Sequence, residues 1–178
     1  MLEAALMGEI PRETTRSFDQ VVREKETHVL RTAFRILGNW ADAEDVAQEV
    51  FLRLHRHGLV NKQEFSHEAA LGAWLYRVTV NLCFDRARSR RPSQELPDVP
   101  SLARSAEAAV LIEEKKQRLM AALAMLPTKE RAAVVLREIE GLSTAEVAEA
   151  LGSSEVTVRS QISKALVRLR GILNREEL

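Results

Sequence analysis

Cysteine is nearly absent from this sequence: Cys83 is the only one among 178 residues. A single cysteine cannot form an intrachain disulfide, and it cannot build a cysteine zinc cluster. Aromatic residues are also scarce, at 4%, and seven glycines interrupt a chain rich in leucine, alanine, glutamate and arginine. Because these are strong helix formers and few runs favour strands, the composition predicts an all-α fold.

Signals for metals and membranes are missing as well. The four histidines (His28, His55, His57 and His67) lack the clustered partners of a metal site, so we expect no metal and no cofactor. No apolar run approaches the ~20 residues that span a bilayer. The opening stretch, MLEAALMGEIPRETTRS, is too weakly apolar for a signal peptide. These absences predict a protein of the reducing cytoplasm that does not insert into a membrane.

A net charge of either sign is also lacking, because 26 basic residues balance 26 acidic ones. The chain as a whole therefore lacks the basic balance that is typical of nucleic-acid-binding domains. Residues 155–175 are different, since one acid, Glu155, stands there against five basic residues: Arg159, Lys164, Arg168, Arg170 and Arg175. DNA responds to the charge of the surface that faces it, so this local excess is compatible with DNA binding.

Proline marks one internal boundary. Three of the five prolines fall within RPSQELPDVPS, and prolines this close together prevent a continuous helix. We predict a linker over residues 91–106 between a first domain, 17–90, and a second domain, 107–178. The N-terminal extension, residues 1–16, carries no motif that we can assign.

Apolar spacing predicts three helices in the first domain. FDQVVREKETHVLRTAFRIL is the first, and Gly38 is predicted to end it. Asp42 is predicted to cap the second, DAEDVAQEVFLRLHRH, whose buried side would hold Val46, Val50, Phe51 and Leu54. The third begins near His67 and has a core stripe of Leu71, Trp74, Leu75, Val78 and Leu82.

Polar side chains gather on two of these helices. Asp45, Gln48, Glu49 and Leu52 share one side of the second helix. This side suits a basic partner helix, although acids near a helix start also complement the helix dipole. The third helix has a polar side of Arg77, Asn81, Asp85 and Arg88, and it ends in the basic run Arg86, Arg88, Arg90 and Arg91. This run could follow a nucleic-acid backbone or complement the helix dipole.

STAEVAEALGSSEVTVRSQISKALVRLR, residues 143–170, has the pattern of a helix-turn-helix. Ser143 and Glu146 form a capping box, Gly152 permits a tight turn, and the small Ala148 allows close helix crossing. In the second helix the residues predicted to face inward are Val158, Ile162, Ala165, Leu166 and Leu169. A polar stripe lies largely opposite: Thr157, Ser160, Gln161, Lys164 and Arg168. Such a stripe can bond to base edges in the major groove, although a plain helical hairpin with a solvated face gives the same pattern.

Four motifs in this order resemble the extracytoplasmic-function (ECF) sigma factors of bacteria, which direct RNA polymerase to promoters. They are DAEDVAQEVFLRL, AWLYRVTVN, LPTKERAAVVLREIEGLSTAEVAEALG and TVRSQISKAL. The resemblance covers about residues 18 to 172. The first two motifs match the family's region two, and the last two match its region four.

The resemblance implies three binding surfaces and several partners. Asp45, Gln48, Glu49 and Leu52 would dock on the β′ clamp helices of core RNA polymerase, which would also meet the chain through its β subunit. The minus-10 element would meet Arg77, Asn81, Arg86 and Arg88. The minus-35 element would be read by Thr157, Arg159, Ser160, Gln161, Ser163, Lys164 and Arg168. The family also usually pairs with an anti-sigma factor, so we expect one here.

The sequence departs from the family's pattern at two positions. Gln161 stands where the family commonly has arginine, and Leu166 stands where a basic residue is frequent. Because glutamine favours adenine and arginine favours guanine, the minus-35 preference is predicted to be shifted.

Two other classes of protein fit parts of the pattern. An ordinary helix-turn-helix regulator would form a dimer and bind a palindromic site without polymerase. An enzyme is disfavoured because no nucleophile, base and orienting group occur together.

Overall fold

A computed structural model describes residues 17–58, 68–89 and 107–174, and all the regular structure in these ranges is helical. The all-α prediction is therefore confirmed. The helices are α1 (Phe18–Leu37), α2 (Trp40–Gly58), α3 (Glu68–Ser89), α4 (Glu107–Ala124), α5 (Thr128–Val134), α6 (Thr144–Leu151) and α7 (Glu155–Leu173). A π-helical turn, Val135–Ile139, continues α5. The predicted extension (1–16) and linker (91–106) lie outside the described residues.

Local capping chemistry fixes the ends of α1. The Ser17 hydroxyl accepts from the Gln20 backbone N–H at 3.3 Å, and the Gln20 side chain accepts from the Ser17 N–H at 3.0 Å. This reciprocal pair is a capping box. At the other end Gly38 has φ +72°, the left-handed conformation that favours glycine, so its prediction as a helix stop is confirmed.

The start of α2 corrects one prediction. Asp42 does not cap this helix, because the helix already begins at Trp40 and the Asn39 side-chain oxygen accepts from the Asp42 N–H at 2.9 Å. Asp42 instead lies in the first turn, and its side chain is largely buried. The buried side of the helix is as predicted, since Val46, Val50, Phe51 and Leu54 are all in the core.

The helix-turn-helix is formed by α6 and α7. Ser143 and Glu146 make the predicted capping box, and Gly152 ends α6 with φ +57°. Ser154 then caps α7 by accepting from the Thr157 N–H at 3.2 Å. Val158, Ala165 and Leu169 are buried as predicted, but Leu166 is 42% exposed, so its prediction as an inward residue is wrong. It lies about 100° around the helix from Ala165, which puts it at the edge of the buried side.

Two helical groups, α1–α3 and α4–α7, pack against each other. Helix α1 contacts α4, α5 and the π-helical turn, and α3 contacts α5 and α6. The buried apolar residues of both groups form one continuous cluster, with Ile36 and Val80 on one side and Leu136 and Val147 on the other. The division into two domains stays a prediction, because its boundary falls outside the described residues.

Arg131 of α5 joins the ends of two other helices. Its guanidinium donates to the carbonyl of Ile36 at 2.8 Å, to that of Leu126 at 2.9 Å and to that of Ala124 at 2.5 Å. Carbonyls in the last turn of a helix lack partners within the helix, so a cation there also complements the helix dipole. Burial lowers the pKa of Arg131 to about 10, which leaves it charged at neutral pH.

Glu140, just after the π-helical turn, makes a second polar link between the groups. Its side chain is 4% exposed, and one carboxylate oxygen accepts from the Thr32 hydroxyl at 2.9 Å and from Arg35 at 2.7 Å. The other oxygen lies 3.4 Å from Nε2 of His28, which is itself 2.8 Å from the Tyr76 hydroxyl. Below, "the junction" means Arg131, Glu140 and these partners.

Candidate nucleic-acid interface

The acidic face of α2, defined as Asp45, Gln48, Glu49 and Leu52, lies on the protein surface. Asp45 and Gln48 are exposed, and Leu52 is 50% exposed although it is a large apolar residue. Glu49 forms a salt bridge with Arg53, one turn later, at 2.8 Å. The spacing of the four residues places them on one side of the helix. The face therefore offers negative charge next to a single exposed apolar residue.

The basic end of α3, defined as Arg77, Asn81, Arg86 and Arg88, is only partly available. Arg77 and Asn81 are exposed. Arg88 forms a salt bridge with Asp85, and Arg86 binds two acids of α2. The predicted polar side of α3 is thus present, but both of these arginines already have acidic partners. Arg90 and Arg91 of the predicted basic run lie outside the described residues.

Arg86 connects the basic end of α3 to the acidic face of α2. Its Nε donates to Asp42 at 2.8 Å, and its Nη2 donates to Asp45. The hydrogen bond with Asp42 is the main reason that the pKa of Arg86 is raised above the ordinary value of an arginine. Since Asp45 is also a predicted docking residue, two predicted surfaces share one ion pair. No sequence signal reveals this contact, because the partners are more than forty positions apart.

The recognition face of α7 is defined by the seven residues predicted to read DNA. Ser160, Ser163 and Lys164 are exposed, and within the described residues their side chains make no hydrogen bond or salt bridge. The hydroxyl of Thr157 is 2.8 Å from the hydroxyl of Ser154, the residue that caps α7. Gln161 is half-buried, and its Oε1 is buried without a hydrogen-bond partner in the described part of the chain.

Two basic residues of this face have acidic neighbours. Arg159 pairs with Glu155 at 2.7 Å, and Arg168 lies 3.3 Å from the carboxylate of Glu130 on α5. Arg168 is therefore drawn towards the body of the protein, whereas Ser160 and Lys164 project from it. The structure brings the predicted residues together on one helix but distinguishes those that are already paired from those that are not.

Among the residues the structure describes, no group of three His, Cys, Asp or Glu side chains could hold a metal ion. Nor do those residues include a helix with the length and apolarity needed to cross a bilayer. Cys83 is buried, and burial raises the pKa of its thiol to about 12.

Comparison with known proteins assigns the chain to a family. The chain matches the family model of sigma-70 region 2 over residues 21–92 and that of sigma-70 region 4 over residues 116–169. The two matches define a sigma factor of the sigma-70 class, and sigma factors are not enzymes. At the level of whole-chain similarity, the protein belongs to the extracytoplasmic-function (ECF) RNA polymerase sigma factors.

Individual relatives give the extent of this similarity. The chain is 40% identical over 163 residues to ECF RNA polymerase sigma factor SigE of Mycolicibacterium smegmatis, which covers 88% of this chain and 62% of SigE. It is 36% identical to SigM of Mycobacterium tuberculosis, over 89% of this chain and 79% of SigM. The fold is similar to that of RpoE from Bartonella quintana, crystallised with the anti-sigma factor NepR: the TM-score is 0.70 and the identity 22%, over 88% of this chain and 96% of RpoE.

Proposed function

We propose that this chain binds core RNA polymerase in the cytoplasm and directs it to promoters by contacting their minus-10 and minus-35 elements. The observation that carries the proposal is that region 2 and region 4 occur in one chain and each presents an exposed polar face, on α2 and α7. The protein contributes specificity and helps to open DNA, and it makes or breaks no covalent bond.

The acidic face of α2 is the proposed docking surface for the polymerase β′ clamp helices. An acid-rich face complements a basic partner helix. Leu52 at the C-terminal end of this face supports this role, because a half-exposed leucine beside polar residues gains from being covered by a partner. Asp45, Gln48 and Glu49 would then fix the register of the partner through polar contacts.

The basic end of α3 is the proposed contact for the minus-10 element. Arg77 and Asn81 are exposed and can reach a melted strand and its bases directly. Arg86 and Arg88 would exchange their acidic partners for phosphates. Capture of one base outside the stack would offset the cost of unpairing, which is on the order of a few kcal/mol.

The recognition face of α7 is the proposed reader of the minus-35 element. Its residues are Thr157, Arg159, Ser160, Gln161, Ser163, Lys164 and Arg168. Hydroxyl groups and Lys164 can bond to base edges and phosphates. The buried side-chain carbonyl of Gln161 has no hydrogen-bond partner in the described residues, which is unfavourable. If the side chain moved on binding, adenine could accept from its NH2 group and donate to its carbonyl oxygen. Binding-site selection on randomised DNA tests this role, and an unchanged preference in Gln161→Arg would contradict it.

Two further parts of the proposal concern organisation and regulation. We propose that residues 17–90 and 107–178 are separate domains joined by a linker over 91–106, which limited proteolysis within 91–106 would support. We also propose that a cognate anti-sigma factor binds the chain, as membership of this family implies. Neither role requires a metal or a cofactor.

Reconstitution with core RNA polymerase tests the central proposal. Purified protein is added to core enzyme, and transcript starts are mapped on genomic DNA. We expect promoter-specific starts that disappear with Gln48→Ala/Glu49→Lys. The matched control is Glu114→Lys, the same charge change on an exposed residue of α4, which should retain these starts. Failure of the wild type to stimulate any start, together with binding to a palindromic duplex as a dimer, would favour the ordinary helix-turn-helix regulator.

A further inference from the structure

The first turn of α7 contains one large side chain whose exposure packing does not explain. Glu155 is paired with Arg159, the Thr157 hydroxyl lies against that of Ser154, and Val158 is completely buried. Val156, between them, is 72% exposed. A β-branched apolar residue gains nothing from solvent, so a partner that covered Val156 at this turn would stabilise the complex.

The position of Val156 puts it on the side of α7 that carries Ser160 and Ser163. Residues four and seven positions apart lie on one side of a helix, so the three form a row from the first turn onwards. In a helix-turn-helix, the N-terminal residues of the second helix contact base edges in the major groove. Val156 therefore stands at the point of α7 that would approach the bases most closely.

The chemistry of valine restricts what it could recognise there. Its side chain can neither donate nor accept a hydrogen bond, so the donors and acceptors of the base edges are not available to it. The major groove presents one apolar group, the 5-methyl of thymine. Because valine is β-branched, its χ1 angle is restricted in a helix, and little side-chain freedom would be lost on contact.

We propose that Val156 is a specificity-determining residue that contacts the methyl group of a thymine in the minus-35 element. The inference rests on the proposed function, since it requires α7 to enter the major groove of promoter DNA. A protein partner covering Val156 is the competing explanation for its exposure. In that case the valine would have no effect on the choice of base.

Deoxyuridine provides the test, because it pairs like thymine and lacks only the methyl group. In the first step, holoenzyme containing the wild-type chain selects a minus-35 element from randomised DNA. In the second step, each thymine of that element is replaced by deoxyuridine, and affinity is measured for wild type, Val156→Ala and Val167→Ala. Val167 is the matched control: it is 66% exposed on the same side of the helix, about 16 Å further along.

We expect one thymine whose replacement weakens wild-type and Val167→Ala binding by about three- to fivefold, the effect of one buried methyl group. The same replacement should leave Val156→Ala unaffected. The inference is overturned if the selected element contains no thymine, or if deoxyuridine has equal effects on wild type and Val156→Ala. Selection of no element at all would instead overturn the proposed function, so the two failures are distinguishable.

Discussion

The junction between the helical groups and the recognition face of α7 use the same kinds of side chain in opposite ways. At the junction, a buried arginine and a buried glutamate satisfy carbonyls and donors of the protein itself. On α7, an arginine and a glutamate form an exposed pair one turn apart. Buried charges are strongly unfavourable without partners, whereas exposed pairs contribute little to stability. Residues at the junction should therefore determine folding, and those on α7 should determine binding.

Removing the guanidinium from the junction should have the largest effect. Arg131→Met keeps much of the apolar stem but leaves the carbonyls of Ile36, Ala124 and Leu126 without their donor. We expect the free energy of unfolding to fall by about 3–5 kcal/mol, measured by urea denaturation. Arg118→Met, the same change at an exposed position of α4, should change it by less than about 0.5 kcal/mol. Equal losses of unfolding free energy in Arg131→Met and Arg118→Met would contradict the expected difference between the junction and the exposed surface.

Glu140→Gln tests the second half of the junction. The amide oxygen can still accept from Thr32 and Arg35, but the side chain no longer carries the charge that faces Arg35 and lies near His28. We expect a loss of about 2 kcal/mol in the free energy of unfolding. Glu138→Gln is the control, since Glu138 is exposed two positions earlier in the chain. A Glu140→Gln protein as stable as wild type would show that the charge is not needed.

The buried thiol of Cys83 makes the stability of the protein depend on pH. Burial raises the pKa of Cys83 to about 12, whereas an unfolded thiol ionises near about 8.5. A raised pKa contributes stability that is complete below the unfolded value and is lost as pH rises towards the folded value. We expect the free energy of unfolding to fall by about 1–2 kcal/mol between pH 7 and pH 10.

Denaturant titrations at several pH values check this dependence. Cys83→Ala should start less stable, because it leaves a cavity, but it should lose less stability across the same pH range. Tyr76, whose pKa is raised to about 12 by burial and then by Glu140, adds to the loss only above about pH 10. Identical pH slopes for Cys83→Ala and wild type would rule out the thiol as the cause.

The exposed pair on α7 should show the smallest effect on stability. Glu155→Gln removes a salt bridge between residues four positions apart, so the free energy of unfolding should change by about 0.5 kcal/mol or less. Affinity of the holoenzyme for minus-35 DNA should rise, and more at low salt, because Arg159 is released and one negative charge is removed. Fluorescence anisotropy over a salt series measures this, with Glu114→Gln of α4 as the control. A lower affinity would mean that Glu155 itself contributes to binding.

Local signals were sufficient for much of the fold. The capping box at Ser143 and Glu146, the stops at Gly38 and Gly152 and the buried side of α2 were all predictable, because each depends on residues within one or two turns. Asn39 and Asp42 were harder to distinguish, since both are good cap residues three positions apart. Only the observed start of α2 at Trp40 decides between them.

Contacts between distant helices could not be predicted in the same way. The polar faces of α2, α3 and α7 follow from helical periodicity, but the pairing of Arg86 with Asp42 depends on how α3 packs against α2. Likewise, nothing in the sequence distinguishes Arg131, which is buried against three carbonyls, from the exposed Arg137 nearby. Charge patterns identify which residues can bind, whereas three-dimensional packing decides which are already occupied.

The π-helical turn at Val135–Ile139 makes the junction sensitive to chain length as well as to side-chain chemistry. This turn holds one residue more than an α-helical turn, and the Glu140 N–H bonds five positions back, to the Val135 carbonyl, at 3.0 Å. Deletion of one residue within this turn would restore a regular α-helix. It would also rotate α5 about the helix axis by about 100° relative to Glu140. The Glu140 carboxylate could then not accept from Thr32 at the same time as Arg131 donates to the Ile36 carbonyl. An in-frame deletion could thus disconnect the two halves of the molecule without altering any of the groups that join them.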